Sequence, residues 1–370
     1  YSFPLPDAGT YWYHAHTNSF EQVARGLSGA LIVEETDAPD VDRDEVLVLD
    51  DWLLNPQDAQ FMEPFRHPMS LSHGGRLGNL LGTNGTFDFA REVRANERLR
   101  LRLINASNAR IFVLRLAGLD GWTVALDGMP LPAPEPVEAE LILAPAQRID
   151  LIVDVTAEDG ETAALVRFDD DDQWRAQVAF PVQGARSGPR RERPAPLPPN
   201  PNTALPDLTG ARSLDMVMEG GAMGRLGMAR YQGRDMGFRD LVGRGQFWSL
   251  SGQVGMSDEP FAELDRGEVV RLRIENRTVF AHAMHHRVAI GQNRAPQCAG
   301  ILGHIGGKLA DRGPGIDHDH VTRPDHGSGH DADPFEPGNR GHLSLGQIGL
   351  MAHWLCRCAA KFALDQAIFA

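Results

Sequence analysis

Two histidines one residue apart, in Trp12-Tyr13-His14-Ala15-His16, are the first residues equipped for chemistry. The aromatic residues around them favour an extended strand, on which residues i and i+2 share a face. Two imidazoles on one face make a pair of nitrogen donors for a transition metal. A second set stands at His282-Ala283-Met284-His285-His286. Imidazole suits copper, zinc, iron and nickel alike, so the spacing does not choose the metal. The competing reading of both sets is exposed surface histidine. A third set is thioether: Met216, Met218, Met223, Met228 and Met236 fall within 21 residues, among Gly and Arg. Thioether sulfur is a soft donor that suits Cu(I). The competing reading is a flexible surface loop in which Met is incidental. His67 and His73 have no partner motif and read as loop histidines.

These donors need a scaffold, and the composition points to strands. With 39 Gly and 25 Pro in 370 residues, turns are favoured over long helices, and 42% hydrophobic residues suffice for a core. Leu99, Leu101 and Leu103 alternate with Arg98, Arg100 and Arg102, which predicts a half-buried strand. Ile149, Leu151, Val153 and Val155 predict another, and Asn84-Gly85 a hairpin turn. No long segment has helical periodicity. The stretch Glu97 to Asn105 recurs 171 residues later as Glu268 to Asn276, keeping Glu, Arg-Leu-Arg and Asn in place. Two copies at this distance predict tandem β domains of one type. Beyond the shared Asn, the first copy carries apolar Ile111 and Leu114 where the second carries His282 and His285. A site is therefore expected in the second copy and not in the first.

The expected organisation is all-β: 1–36 the end of one domain, 44–185 a second, 186–240 a Pro-rich linker with the Met-rich segment, and 241–370 a third. Tyr1 reads as a cut through a domain rather than a start. After about residue 286 the pattern becomes aberrant. All three Cys (Cys298, Cys356, Cys358) and both Lys lie there, ten of the 14 His lie at or after position 282, and the strand expected near 315–326 is replaced by an Asp- and His-rich run. Residues 300–345 are expected to lack regular structure. The net charge of −14 argues against a non-specific nucleic-acid binder, and no apolar run of 18 residues is present to span a membrane.

The stretch Gly9 to His16, with Gln22 and Gly26-Leu27-Ser28-Gly29-Ala30-Leu31-Ile32-Val33, closely resembles a copper-ligand motif of the multicopper oxidases, the family of laccases and bacterial cuprous oxidases. The resemblance continues through Asp50-Asp51-Trp52, Asn84-Gly85, Arg102 to Ala106 and Leu126-Asp127-Gly128 to His285. It implies tandem cupredoxin-like Greek-key β-sandwiches. It also implies copper of types 1, 2 and 3, and electrons passed from Cu(I) or phenolic donors to O2, in the periplasm or outside the cell. By position, His14 and His16 match type 3 ligands, His282 a type 1 ligand and His285 a type 2 ligand. No further catalytic group is implied. The five Met resemble the Met-rich insertions of cuprous oxidases. The pattern departs at His286-Arg287, where a further ligand is expected, and at Cys356, which lacks flanking His. With those departures the chain as written is expected to be inactive, and the alternative is a catalytically dead family member in a binding or scaffold role.

Overall fold

The computed structural model describes residues 2–200, 207–255, 260–265 and 268–284, and the backbone alone of three strands at 287–290, 351–355 and 360–363. His285, His286, Cys356 and the segment 300–345 lie outside the described residues.

The expected all-β architecture is present. In chain order come β1 (Gly9–His14), α1 (Ser19–Ala24), β2 (Ser28–Val33), β3 (Arg43–Trp52), α2 (Pro68–Ser72), β4 (Leu80–Thr83), β5 (Arg98–Asn105), β6 (Phe112–Ala117), β7 (Leu119–Leu126), β8 (Met129–Pro136), β9 (Leu141–Leu143), β10 (Arg148–Val155), β11 (Thr162–Phe168) and β12 (Trp174–Pro181). The first two strands pair with each other in a two-stranded sheet. The next ten form two sheets, ordered β4-β3-β5-β10-β7-β8 and β12-β11-β6-β9. Leu47, Leu49, Leu99, Leu101, Leu103, Leu151, Val153, Leu165 and Phe180 fill the space between the two sheets. Period-two alternation puts all of them on one side of their strands. Asn84 and Gly85, with φ of 50° and 79°, turn the chain between Thr83 and Thr86, as their sequence predicts.

One expectation about β5 is overturned. All eight of its residues are buried, not half of them. The alternating Arg side chains face a second covered layer. Across the β5–β10 ladder Arg98 stands opposite Asp154 and Arg102 opposite Asp150. Arg98 holds Asp154 through two bonds of 2.6 and 2.7 Å. Arg100 donates to Glu35 at 2.7 Å and to Asp150 at 2.6 Å. The Pro-rich segment crosses the same face, with the Glu192 carbonyl accepting from Arg98 at 2.6 Å and Leu197 packed on Val124, Ala125 and Ile152. Burial alone would raise the Glu35 carboxyl, but the Arg100 guanidinium outweighs it and holds the group below its ordinary value.

Asp50, on β3, has no such cation among the described residues. It is 9% exposed, and its Oδ1 accepts from the Asp51 amide at 2.8 Å. Burial pushes its carboxyl up from 3.8 to about 7. The folded state thus binds more protons than the unfolded one between those values, so stability falls as pH rises through that window. Asn keeps the shape without the charge. Asp50→Asn is expected to raise the melting temperature at pH 8 and leave it unchanged at pH 4, as measured by thermal denaturation at both.

The remaining strands are β13 (Arg212–Gly220), β14 (Met228–Tyr231), β15 (Arg234–Gly237), then α3 (Phe238–Val242), β16 (Trp248–Leu250), β17 (Gln253–Val254), β18 (Ala262–Leu264), β19 (Val269–Asn276), β20 (Arg287–Ile290), β21 (Met351–Leu355) and β22 (Ala360–Ala363). They form sheets ordered β15-β14-β17-β16-β13-β19-β21 and β18-β22-β20. The internal repeat is visible here. β3 runs parallel to β5 with Leu47 beside Leu103, and β13 runs parallel to β19 with Met216 beside Ile274. The third unit therefore begins at β13, earlier than the expected start near residue 241, and the Met-bearing stretch is not linker.

Candidate metal centre

β1 is held in place before its histidines are reached. Thr10 Oγ1 donates to Asp150 at 2.9 Å and accepts from Arg102 at 3.0 Å. Trp12, 6% exposed, is buried with Val23, Ile104 and Ala106. Tyr13 lies over Gly29, its cross-strand partner, where a Cβ would collide with the phenol ring. That close approach is why Gly stands at this position.

His14 ends the strand, and the backbone continues its pairing through the Ala15 amide and Leu27 carbonyl at 3.0 Å. The structure brings His14 and His16 together, with ring centroids 6.3 Å apart. His14 Nδ1 donates to the Ala15 carbonyl at 2.8 Å, which fixes the tautomer with the lone pair on Nε2. That carbonyl is the kind of partner metal-ligating imidazoles use. The pair fits copper in donor type. Two donors do not complete a coordination shell, and among the described residues no group of three or more His, Cys, Asp or Glu gathers to do so.

His282 sits in the loop after β19. Asn276 shapes that loop by donating from Nδ2 to the Phe280 carbonyl at 2.6 Å and accepting from the Thr278 amide at 2.9 Å. Asn105, its counterpart in the repeat, does the same work for Arg110 and Ser107. The His282 ring stands edge-on to Trp248 at 4.7 Å, and its Nε2 lies 3.0 Å from Thr278 Oγ1. Burial pushes its pKa down from 6.5 to about 4. The imidazole is therefore neutral at pH 7, the form that binds metal. Leu114, which the repeat matches to His285, is fully buried in the core.

The five methionines do not form one cluster. Met216 and Met218 are fully buried with Trp248, Leu250, Leu272 and Met284. They are core residues at the sheet positions that Leu47 and Leu49 occupy on β3. Met236 packs against Ala229, Leu241 and Val254. Met223 and Met228 are 62% and 70% exposed. The alternation of Leu214, Met216 and Met218 carried the signal of a strand. Met218→Ala is expected to cost about 2–5 kcal/mol, and Met228→Ala less than about 0.5 kcal/mol, as read from urea denaturation midpoints.

Two contacts near His282 have no counterpart in the sequence motifs. The Trp248 indole donates to the Leu71 carbonyl of α2 at 2.6 Å, and the Ala222 amide donates to the Ser72 carbonyl at 2.6 Å. His73 lies tilted on Phe280 at 5.6 Å. His67 accepts from the Met69 amide at 3.3 Å and caps α2. Both histidines serve local structure and helix docking.

The fold defines a class of β-sandwich proteins, here with paired imidazoles at a strand end, and comparison with known proteins agrees on the fold. The multicopper oxidase family profile matches residues 1–38. A cell division protein FtsP from Sodalis glossinidius is 37% identical over 164 residues, covering 43% of this chain and 33% of the relative. The multicopper oxidase mco of Staphylococcus haemolyticus is 30% identical over 167 residues, covering 44% and 36%. The crystal structure of a multi-copper oxidase from Pseudomonas thermotolerans superposes with a TM-score of 0.60 at 28% identity, covering 76% of this chain and 61% of that one. Over these stretches the chain is similar to multicopper oxidases, and its sheets are cupredoxin-like β-sandwiches. It spans about a third of the length of the curated relatives it matches.

Proposed function

We propose that the protein is a copper oxidase that takes electrons singly from Cu(I) or a phenol and delivers them to O2, in the periplasm or outside the cell. The observation that supports this best is the His14–His16 pair, two imidazoles at the end of an anchored strand, one with its tautomer set by a carbonyl. Copper bound there would supply one-electron exchange, which no side chain of this protein performs alone. In this reading His14 and His16 are type 3 ligands and His282, held neutral by burial, is a type 1 ligand. His285 would be a type 2 ligand and lies outside the described residues. Met223 and Met228 are the exposed thioethers left to meet Cu(I). No described helix is long and apolar enough to cross a membrane.

A second reading is a family member without catalysis, serving a binding role. It is favoured by the similarity to cell division proteins. Copper content separates the two. The oxidase reading expects copper retained through dialysis and O2 uptake driven by Cu(I) or a phenol. A well-folded protein that retains no copper and consumes no O2 would support the binding role.

A further inference from the structure

We infer that Trp12 is a positioning residue for His14: its indole, locked in the seam between β1 and β5, sets the plane of the imidazole and so the aim of Nε2. The inference rests on the proposal that the pair takes a metal. The two rings are stacked, with centroids 4.5 Å apart and planes within 24°. They meet because residues two apart on a strand share a face. The indole itself has little freedom. It is 6% exposed and wedged among Val23, Ile104 and Ala106, with Ala30, Val46, Val48 and Ala146 around them. Two residues upstream, Thr10 ties the strand to Asp150 and Arg102, and the Arg148 guanidinium donates to the Thr10 carbonyl at 3.3 Å.

An imidazole has two side-chain torsions, and two contacts restrain them. The Nδ1 bond to the Ala15 carbonyl chooses which way the ring is flipped. The indole stack limits the tilt. His14 is thus pre-set before any metal arrives, and pre-set ligands bind with less ordering cost. His16 is exposed, and its ring contact among the described residues is with His14 at 6.3 Å. The first imidazole is the fixed arm of the pair and the second the adjustable one.

The test uses the full chain with ring-labelled histidine, Zn(II) as a diamagnetic probe, and nitrogen chemical shifts as readout. His14→Asn and His16→Asn assign the two signals. Trp12→Phe keeps an aromatic ring to stack on, and Trp12→Leu keeps the burial without it. We expect Trp12→Phe to hold Zn(II) affinity at the pair within about twofold and Trp12→Leu to lose about tenfold or more, the scale of losing an orienting partner. In the metal-free chain, Trp12→Leu should also shift the His14 ring nitrogens away from the pure Nδ1–H tautomer, and Trp12→Phe should not. If Zn(II) moves neither wild-type signal, the metal reading fails, and the tautomer shifts still judge the positioning. An unchanged His14 tautomer in Trp12→Leu, or unchanged Zn(II) affinity where Zn(II) binds, overturns the inference. A Trp12→Leu chain that does not fold passes the decision to Trp12→Phe, in which a lost tautomer preference would overturn it equally.

Discussion

Replacing both His14 and His16 with Asn is expected to remove copper binding at the β1 terminus, lowering affinity there by more than about 100-fold. Loss of a partner that merely orients a ligand already costs 10–100-fold, and here both donor nitrogens are lost. Asn preserves much of the shape, and neither ring is part of the buried core, so the melting temperature should stay close to wild type. Chelator competition against copper, run on wild type and on the double variant, measures the difference. Equal copper retention in the two proteins would remove this pair from the metal centre and leave the oxidase proposal without its main support. The single variants should not be equivalent: His14→Asn removes the pre-oriented arm and is expected to weaken binding more than His16→Asn.

Asp150→Ala is expected to destabilise the protein by about 3–5 kcal/mol, the usual scale for removing one partner of a buried ion pair. Asp150 is 1% exposed, and its Oδ2 accepts from Arg100 Nη2 at 2.6 Å and from Thr10 Oγ1 at 2.9 Å. Without it, the fully buried Arg100 keeps Glu35 but loses its cross-strand carboxylate, and β1 loses the anchor at Thr10. The cost comes from a buried guanidinium left with one carboxylate in place of two and held away from water, rather than from any great net worth of the intact network. The matched control is Asp215→Ala. Its partner Arg273 lies at 2.7 Å, but the two side chains are 61% and 71% exposed, and water screens them. That variant should change stability by less than about 1 kcal/mol. Urea denaturation of both variants gives the comparison. Equal midpoints would mean that the network is solvated in solution and does not hold the His-bearing strand to the sandwich.

Much of this was legible in the residues. The period-two alternation of Leu99, Leu101 and Leu103 fixed a strand and its core-facing side, because a pleated chain sends successive side chains to opposite faces. The repeat of Glu97 to Asn105 at Glu268 to Asn276 predicted two units of one kind. The structure extends it to a second pair of matched strands, β3 and β13, in which Leu47 and Leu49 have become Met216 and Met218. That substitution is also where reading the sequence went astray. Methionine is apolar packing material and soft ligand at once, so only burial separates the roles, and burial depends on which strands lie alongside.

The sequence by itself determined the strands, the repeat, the one-residue spacing that puts His14 and His16 on a common face, and the family resemblance. The tertiary structure decided what lies against those faces. It covered the Arg98, Arg100 and Arg102 face with β1, β2 and the Pro-rich segment, turning a pattern that reads as solvent-facing into a buried ionic layer. It set Trp12 flat on His14 and Trp248 edge-on to His282. Alternation along a strand encodes which side chains share a face. It does not encode whether that face meets water or another sheet, because that depends on packing between segments far apart in the chain.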